Sequence, residues 1–261
     1  MDNGFPKTVH LIYIPWDKKQ RLKHDHMDFD KVFWKKFEQQ LKRKGWKVMM
    51  WTRDKIEKFM EMHYSREWKL VKRLVARPVQ LVDYLRWKII YHYGGIYWQY
   101  GSFLKAPINS LIPPQIGGAL TLTETTCNFF RRYWMGTERI RFGKPEEKTR
   151  VATQVFSAYP RNGFVQSVID KNISNLRRYK VKCDYDILYI GGNAMVSEVY
   201  DECKQDGSIH KFKVTILSYE ASQDIAKFSS EGSWRTNNTV SWLYLILLSI
   251  LILLIIYYYY Y

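Results

Sequence analysis

The stretch from Leu81 to Gly101 constrains the fold more than any other part of this 261-residue chain. Its first half, LVDYLRWKIIYHY, carries apolar residues at helical spacing and runs into the pair Gly94-Gly95, which is typical of a helix and the turn that ends it. The next residues, IYW, have the length and apolar character of a short buried strand. The stretch therefore predicts a helix, a sharp glycine turn and a buried strand that stops at the polar turn Gln99-Tyr-Gly101.

The remaining sequence predicts one α/β domain over residues 1–220, followed by a polar wrap or stalk over 221–239. The domain opens with a strand over 7–14, a helix over 30–44, a strand over 46–51 and a helix over 52–63, an order typical of a nucleotide-binding sheet. Further elements are predicted as helices over 78–93, 164–179 and 194–204, and as strands over 96–100, 119–123, 151–158 and 212–219.

The composition excludes a disordered chain, because 46% of the residues are hydrophobic and 16% are aromatic. The net charge is +16, much of it between Asp17 and Arg77. Such a surface attracts anionic lipid headgroups, nucleic acid or diphosphate ligands. We expect lipid headgroups rather than nucleic acid because the chain also has a membrane-like segment, although a solvated face without a specific partner explains the charge equally well.

That segment is the uncharged run from Val240 to Ile256, which five tyrosines follow to the end of the chain. As one helix, residues 240–261 would be about 33 Å long, enough to cross the hydrocarbon core of a bilayer. A buried core helix is the alternative, but the run has no polar face. The sequence therefore predicts a single transmembrane tail anchor over 240–261. Sparse cysteines and the absence of an apolar leader favour a cytosolic domain.

The stretch around the glycines resembles the signature of glycosyltransferases that carry a DXD sugar-binding motif. This family has the GT-A fold and includes yeast-type α-1,6-mannosyltransferases and inositol phosphoceramide mannosyltransferases. In the family, a helix holds Asp and Arg three residues apart, as Asp83 and Arg86 are here, and Tyr-Gly-Gly-Ile-Tyr-Leu then leads to Asp-X-Asp. The resemblance implies a GT-A-like α/β domain with a mixed central sheet, to which the tail adds a C-terminal transmembrane helix.

The resemblance also implies a set of residues that bind a nucleotide sugar. Asp83 and Arg86 match the pair that contacts the nucleotide or braces the sugar pocket, and an ordinary ion pair on the helix surface is the alternative. The strand containing His10 matches the strand beside the nucleotide base, and Gly-Ser-Trp234 matches an element near the diphosphate. The segment from Tyr189 to Asn193 loosely matches a turn on the acceptor side. The full set is His10, Asp83, Arg86, Gly94, Gly95, Gln99, Gly101 and Trp234.

The metal site of the family is degenerate in this sequence. Gln99 and Gly101 stand where the family has its two aspartates, and no histidine precedes Gly-Ser-Trp234. A neutral amide oxygen and a glycine are poor ligands for the hard cations Mg²⁺ and Mn²⁺. We therefore expect no cofactor. Lys105 and the pair Arg131-Arg132 are candidates to stabilise a diphosphate without metal, and Glu124 is a candidate substitute ligand.

Two functions follow from this sequence. The first is a membrane-anchored enzyme that transfers a hexose from a nucleotide-diphosphate sugar to a glycan, lipid or protein acceptor. The second is an inactive member of the family that acts as a membrane-tethered binding or scaffold protein. The missing aspartates leave catalysis open, and the catalytic residues are not identified by the sequence.

Overall fold

The structure is a computed structural model that describes residues 4–14, 28–99, 102–125, 149–182, 184–228 and 239–260. In chain order the elements are β1 (Thr8–Ile12), α1 (Asp28–Arg43), β2 (Lys47–Trp51), α2 (Arg53–Leu74), α3 (Pro78–Tyr93), β3 (Gly95–Trp98), β4 (Phe103–Leu104), a 3-10 helix (Ile108–Leu111), β5 (Ala119–Thr125), β6 (Thr149–Ala158), α4 (Gly163–Arg178), α5 (Asp184–Ile190), α6 (Asn193–Gln205), α7 (Ser208–Lys211), β7 (Val214–Ile216), α8 (Tyr219–Ile225), β8 (Ala226–Lys227) and α9 (Thr239–Tyr260).

The central sheet is mixed, which confirms the predicted α/β class. Its strand order is β2-β1-β3-β6-β5-β7, and β6 runs antiparallel to both of its neighbours while the other pairs are parallel. The carboxyl ends of β1, β2, β3 and β5 therefore meet at one edge of the sheet, together with the start of β6. We call this the carboxyl edge.

Helices cover both faces of the sheet. Successive side chains of a strand point to opposite faces, and here both sets include apolar residues that pack against helices. In β3, Tyr97 packs into a core formed with α2, α3, α4 and α6, whereas Ile96 and Trp98 pack into a second core with α1 and the 3-10 helix. The two faces of this strand are thus both buried, as the apolar run Ile-Tyr-Trp predicts.

Helix α2 is longer than the predicted segment 52–63. Tyr64 has the non-helical angles φ −143° and ψ 36°, and the helix resumes after this kink to Leu74. The second part buries Trp68 and Val71 against the core. Because the helix is kinked at Tyr64, the apolar residues of its two parts do not form one continuous stripe. The apolar spacing in the sequence therefore predicts only the first part.

The globular unit extends to Ser229, beyond the predicted limit of residue 220. The start of the expected stalk forms α8 and β8, and β8 pairs with β4. Ser222 and Ala226 are fully buried in this part of the chain. Residues 221–228 are therefore part of the domain, while residues 229–238 of the expected stalk lie outside the described residues.

The second unit, 230–261, contains helix α9. Its described side chains, 246–259, include ten Ile and Leu residues that are 42% to 64% exposed. In the part of the chain that the structure describes, no helix is both long and apolar enough to cross a membrane. The transmembrane helix in the predicted fold class is therefore not supported.

Candidate functional site

The glycine pair after α3 is required by close packing of the backbone. Gly94 and Gly95 have φ angles of 65° and 95°. A Cβ atom on Gly94 would lie 2.6 Å from Pro160 Cδ, and one on Gly95 would lie 2.4 Å from the backbone oxygen of Thr8. Any larger residue would push β3 away from β1 or force α3 to end elsewhere. These glycines thus build the corner that sets the position of β3 relative to α3.

His10 lies in the core behind this corner, where both of its ring nitrogens are used. Trp51 Nε1 donates a hydrogen bond to His10 Nδ1 at 3.0 Å, so Nε2 carries the proton and donates to the oxygen of Gly94 at 3.0 Å. Burial lowers the pKa of His10 to about 4, so the ring is neutral at pH 7. The structure therefore gives His10 a role in joining β1, β2 and the corner, and its predicted contact with a nucleotide stays a prediction.

Asp83 and Arg86 form a buried ion pair on α3. Arg86 Nη2 donates to Asp83 Oδ1 at 2.5 Å, and the two side chains are only 5% and 7% exposed. Arg86 Nη1 also donates to the backbone oxygen of Thr153 at 2.7 Å, to its hydroxyl at 3.1 Å and, more weakly, to Gln99 Oε1 at 3.4 Å. The pair is therefore not the surface ion pair that the sequence left open. It connects α3 with β6 and with the end of β3 at the carboxyl edge.

The environment of Asp83 makes its carboxylate unusually basic. Burial raises its pKa to about 6, and the positive charge of Arg86 offsets part of that rise. The turn between α5 and α6 covers this group: a Cβ atom on Gly191 would lie 3.6 Å from Asp83 Cβ and 2.4 Å from Asn172 Nδ2. The absence of a side chain at Gly191 thus lets the predicted acceptor-side turn approach Asp83 closely.

A second polar cluster at the carboxyl edge was not predicted from the sequence. Glu124, near the end of β5, accepts hydrogen bonds from Arg150 Nε at 2.8 Å, from Gln154 Nε2 at 2.7 Å and from the side-chain amide of Asn193. Gln154 also accepts, through its backbone oxygen, the N–H of Gln99 at 2.7 Å. This cluster therefore links the ends of β3 and β5 with the start of α6. The sequence offers no local signal for it, because its members come from three distant segments.

The described residues do not fit a divalent cation at the end of β3. Gln99 supplies one neutral oxygen there, and that oxygen faces the guanidinium group of Arg86. Glu124 is the candidate substitute ligand, but three donors already occupy its two oxygens. Among the described residues, no group of three His, Cys, Asp or Glu side chains is close enough to hold a metal ion. Gly101 and Trp234 lie outside the described residues.

Of the basic side chains named as candidates for diphosphate binding, Lys105 is within the described residues. Lys105 Nζ donates to the backbone oxygen of Gln223 at 2.7 Å and so fastens the 3-10 helix region to α8. Arg131 and Arg132 lie outside the described residues. Among the described residues, Arg86 and Arg150 lie at the carboxyl edge, and each has a carboxylate partner.

Comparison with known proteins shows that part of the chain is similar to glycosyltransferases. Residues 19–116 match the family model described as glycosyltransferase sugar-binding region containing DXD motif. The chain is 36% identical over 69 residues to inositol phosphoceramide mannosyltransferase 1 from Schizosaccharomyces pombe, which covers 26% of this chain and 21% of that protein. The chain thus spans about a fifth of the length of this relative. A solved structure, PaToxG Glycosyltransferase, has a TM-score of 0.46 and 15% identity over 80% of this chain and 76% of that one. Over residues 19–116, the chain is therefore similar to glycosyltransferases with a DXD-containing sugar-binding region.

Proposed function

We propose that this protein is a GT-A-type glycosyltransferase that binds a nucleotide-diphosphate sugar at the carboxyl edge and transfers its hexose to a glycan, lipid or protein acceptor. The observation that carries the proposal is the Asp83–Arg86 pair, which is buried at the edge where the parallel strands end. Ligands of open α/β sheets bind outside these strand ends. A buried ion pair adds little stability in itself, so its position favours a functional role.

Arg86 orients Asp83 in this proposal. Its Nη2 group donates to Asp83 Oδ1 and holds the carboxylate, while Nη1 donates to the backbone oxygen of Thr153 and fixes the guanidinium group against β6. No described residue donates a hydrogen bond to Asp83 Oδ2. That oxygen is therefore available to accept a hydroxyl of the sugar, and a neighbouring guanidinium keeps the carboxyl group ionised at neutral pH.

The chemistry of the leaving diphosphate differs from that of the family. Gln99 at the end of β3 is neutral and Glu124 already accepts three hydrogen bonds from the protein, so these residues do not fit a bound cation. We propose that the ancestral Mn²⁺ or Mg²⁺ site is lost and that donor binding does not depend on either ion. The acceptor enters from the turn at Gly191 in this proposal, because that turn lies next to Asp83.

A second candidate function is sugar-nucleotide binding without turnover, in a scaffold protein. One observation favours it: Arg86 and Arg150, which lie at the carboxyl edge, are both paired with carboxylates, so neither brings an uncompensated positive charge to a departing diphosphate. An inactive member of the family would keep the fold and the binding pocket while losing catalysis.

The two candidates are separated by calorimetry and hydrolysis with a panel of sugar nucleotides, using the full chain with and without Mn²⁺. The enzyme is expected to bind one donor and release free sugar slowly, and the scaffold to bind a donor without hydrolysis. Asp83→Asn is expected to weaken binding in both cases. If no sugar nucleotide binds the wild-type chain at millimolar concentration, both proposals are wrong.

A repair experiment tests the lost metal site directly. Gln99→Asp combined with Gly101→Asp restores the two family carboxylates and is expected to create Mn²⁺-dependent nucleotide binding. Gln99→Asn combined with Gly101→Asn is the matched control, because it keeps the side-chain size and adds no charge. If the wild-type chain already binds nucleotide only with Mn²⁺, the proposed loss of the site is wrong.

We further propose that α9 associates with a membrane and holds the domain beside it, where basic side chains face anionic lipid headgroups. The support is the exposure of the ten Ile and Leu residues between Ile246 and Ile256. Flotation with phosphatidylcholine vesicles is expected to recover the full chain but not a variant with Leu247, Leu251 and Leu254 changed to Gln. Equal recovery of both proteins would contradict the proposal.

A further inference from the structure

A groove between α2 and α4 carries three arginines that the glycosyltransferase site does not use. The groove has a volume of about 710 Å³ and is lined by Arg66 from α2 and by Arg177 and Arg178 from the last turn of α4. All three side chains are exposed. The groove shares no residue with the Asp83–Arg86 pair or with the Glu124 cluster.

The acidic residues of the groove do not cancel this charge. The charge of Glu67 is balanced by Lys88, which is only 3% exposed and donates to Glu67 Oε2 at 2.8 Å. The hydroxyl of Tyr84 donates to the other oxygen, Oε1. Asp170 is the other acidic residue of the lining, and it accepts a hydrogen bond from the neutral Gln166. The lining therefore contains three arginines and one carboxylate, Asp170, that has no cationic partner among the described residues.

Two apolar side chains also line the groove. Leu70 and Ile173 lie in its lining and are half-buried. A groove that combines apolar side chains with a few charged groups can accept a small organic ligand, and its volume is within the range of about 300–1,000 Å³ found for such sites.

From this arrangement we infer that the α2–α4 groove binds a small organic ligand carrying at least two phosphate groups. Guanidinium groups match the geometry of phosphate oxygens and form paired, charge-assisted hydrogen bonds with them. Three arginines exceed the need of a single phosphate, and the side chains of Leu70 and Ile173 offer apolar contacts to the organic part. The source of the ligand is either a free polyphosphate or the headgroup of a phosphorylated lipid.

Calorimetry on the full chain tests the inference with two probes, inositol hexakisphosphate for the free ligand and short-chain phosphatidylinositol bisphosphate for the lipid headgroup. The triple variant Arg66→Gln, Arg177→Gln, Arg178→Gln is expected to bind the tighter probe at least about tenfold more weakly. The matched control changes Lys44, Lys204 and Lys211 to Gln, which removes the same charge from other exposed sites and is expected to weaken binding less than about twofold.

Asp170→Asn supplies a change of opposite sign. Removing the carboxylate that lacks a cationic partner is expected to tighten binding about twofold, because the probe no longer meets a like charge. Equal weakening in the triple variant and in the lysine control would show that only the overall charge matters, and the inference would fail. It would also fail if neither probe bound the wild-type chain. Asp83→Asn, which tests the proposed function, is expected to leave binding in this groove unchanged.

Discussion

Arg86 Nη2 lies 2.5 Å from Asp83 Oδ1 in the interior of the globular unit, and the same guanidinium group reaches the backbone oxygen of Thr153 on β6. One side chain thus neutralises a buried carboxylate and fastens α3 to the sheet. The consequences of removing either member are different, because the arginine has partners beyond Asp83.

Arg86→Met is expected to lower the free energy of unfolding by about 3 kcal/mol at pH 7, since it leaves the carboxylate of Asp83 buried without its partner. The double variant Arg86→Met with Asp83→Asn removes that charge and is expected to be more stable than the single variant. Urea unfolding followed by the fluorescence of the buried tryptophans measures both. If the double variant were the less stable of the two, the unpaired charge would not be the cause.

Two buried groups are expected to give opposite dependences of stability on pH. Burial raises the pKa of Asp83 from 3.8 to about 6, so the folded state holds this proton more tightly and the contribution to stability falls as pH rises from about 4 to about 6. Burial lowers the pKa of His10 from 6.5 to about 4, so the folded state holds that proton more weakly and its contribution rises as pH rises from about 4 to about 6.5.

Replacing either residue is expected to leave a pH dependence of stability that comes from the remaining one. Relative to the wild type, Asp83→Asn should gain about 3 kcal/mol of stability between pH 4 and pH 6, and His10→Asn should lose a similar amount between pH 4 and pH 6.5. Urea unfolding at intervals of pH measures these differences. Curves for a variant and the wild type that stay parallel over this range would contradict the assigned burial effect.

The turn after α3 is expected to reject any side chain. Gly95→Ala should lower the free energy of unfolding by more than about 2 kcal/mol, because φ is 95° and the new Cβ would lie 2.4 Å from the oxygen of Thr8. Gly45→Ala is the matched control, since φ there is 77° and no atom lies within 4 Å of the new Cβ. It is expected to cost only about 1 kcal/mol. Equal costs at the two positions would show that packing against β1 is not what requires Gly95.

The sequence predicts the helix, corner and strand from 78 to 98 well because each of them has a local cause. Pro78 begins α3, the glycines end it, and the apolar residues after them fill the sheet. The kink at Tyr64 and the short helices α5 and α8 have no comparable signal, since they depend on packing between distant segments. The resemblance led to Asp83 and Arg86, but neither periodicity nor spacing indicates that Thr153 lies beside them or that Arg150, Gln154 and Asn193 surround Glu124.

Glu124 is expected to be far more sensitive to loss of its charge than an exposed carboxylate of the same protein. Glu124→Gln replaces an acceptor oxygen with an amide that meets a hydrogen-bond donor, and it leaves the side chain of Arg150, which is 13% exposed, without its partner. The expected loss is about 2 kcal/mol of unfolding free energy.

Glu38→Gln is the control, because Glu38 pairs with Lys42 on α1 and its side chain is 39% exposed. Its loss should stay within about 0.5 kcal/mol, as is usual for exposed pairs four residues apart on a helix. A similar small loss at both positions, measured by urea unfolding at pH 7, would mean that the Glu124 cluster does not hold β5, β6 and α6 together.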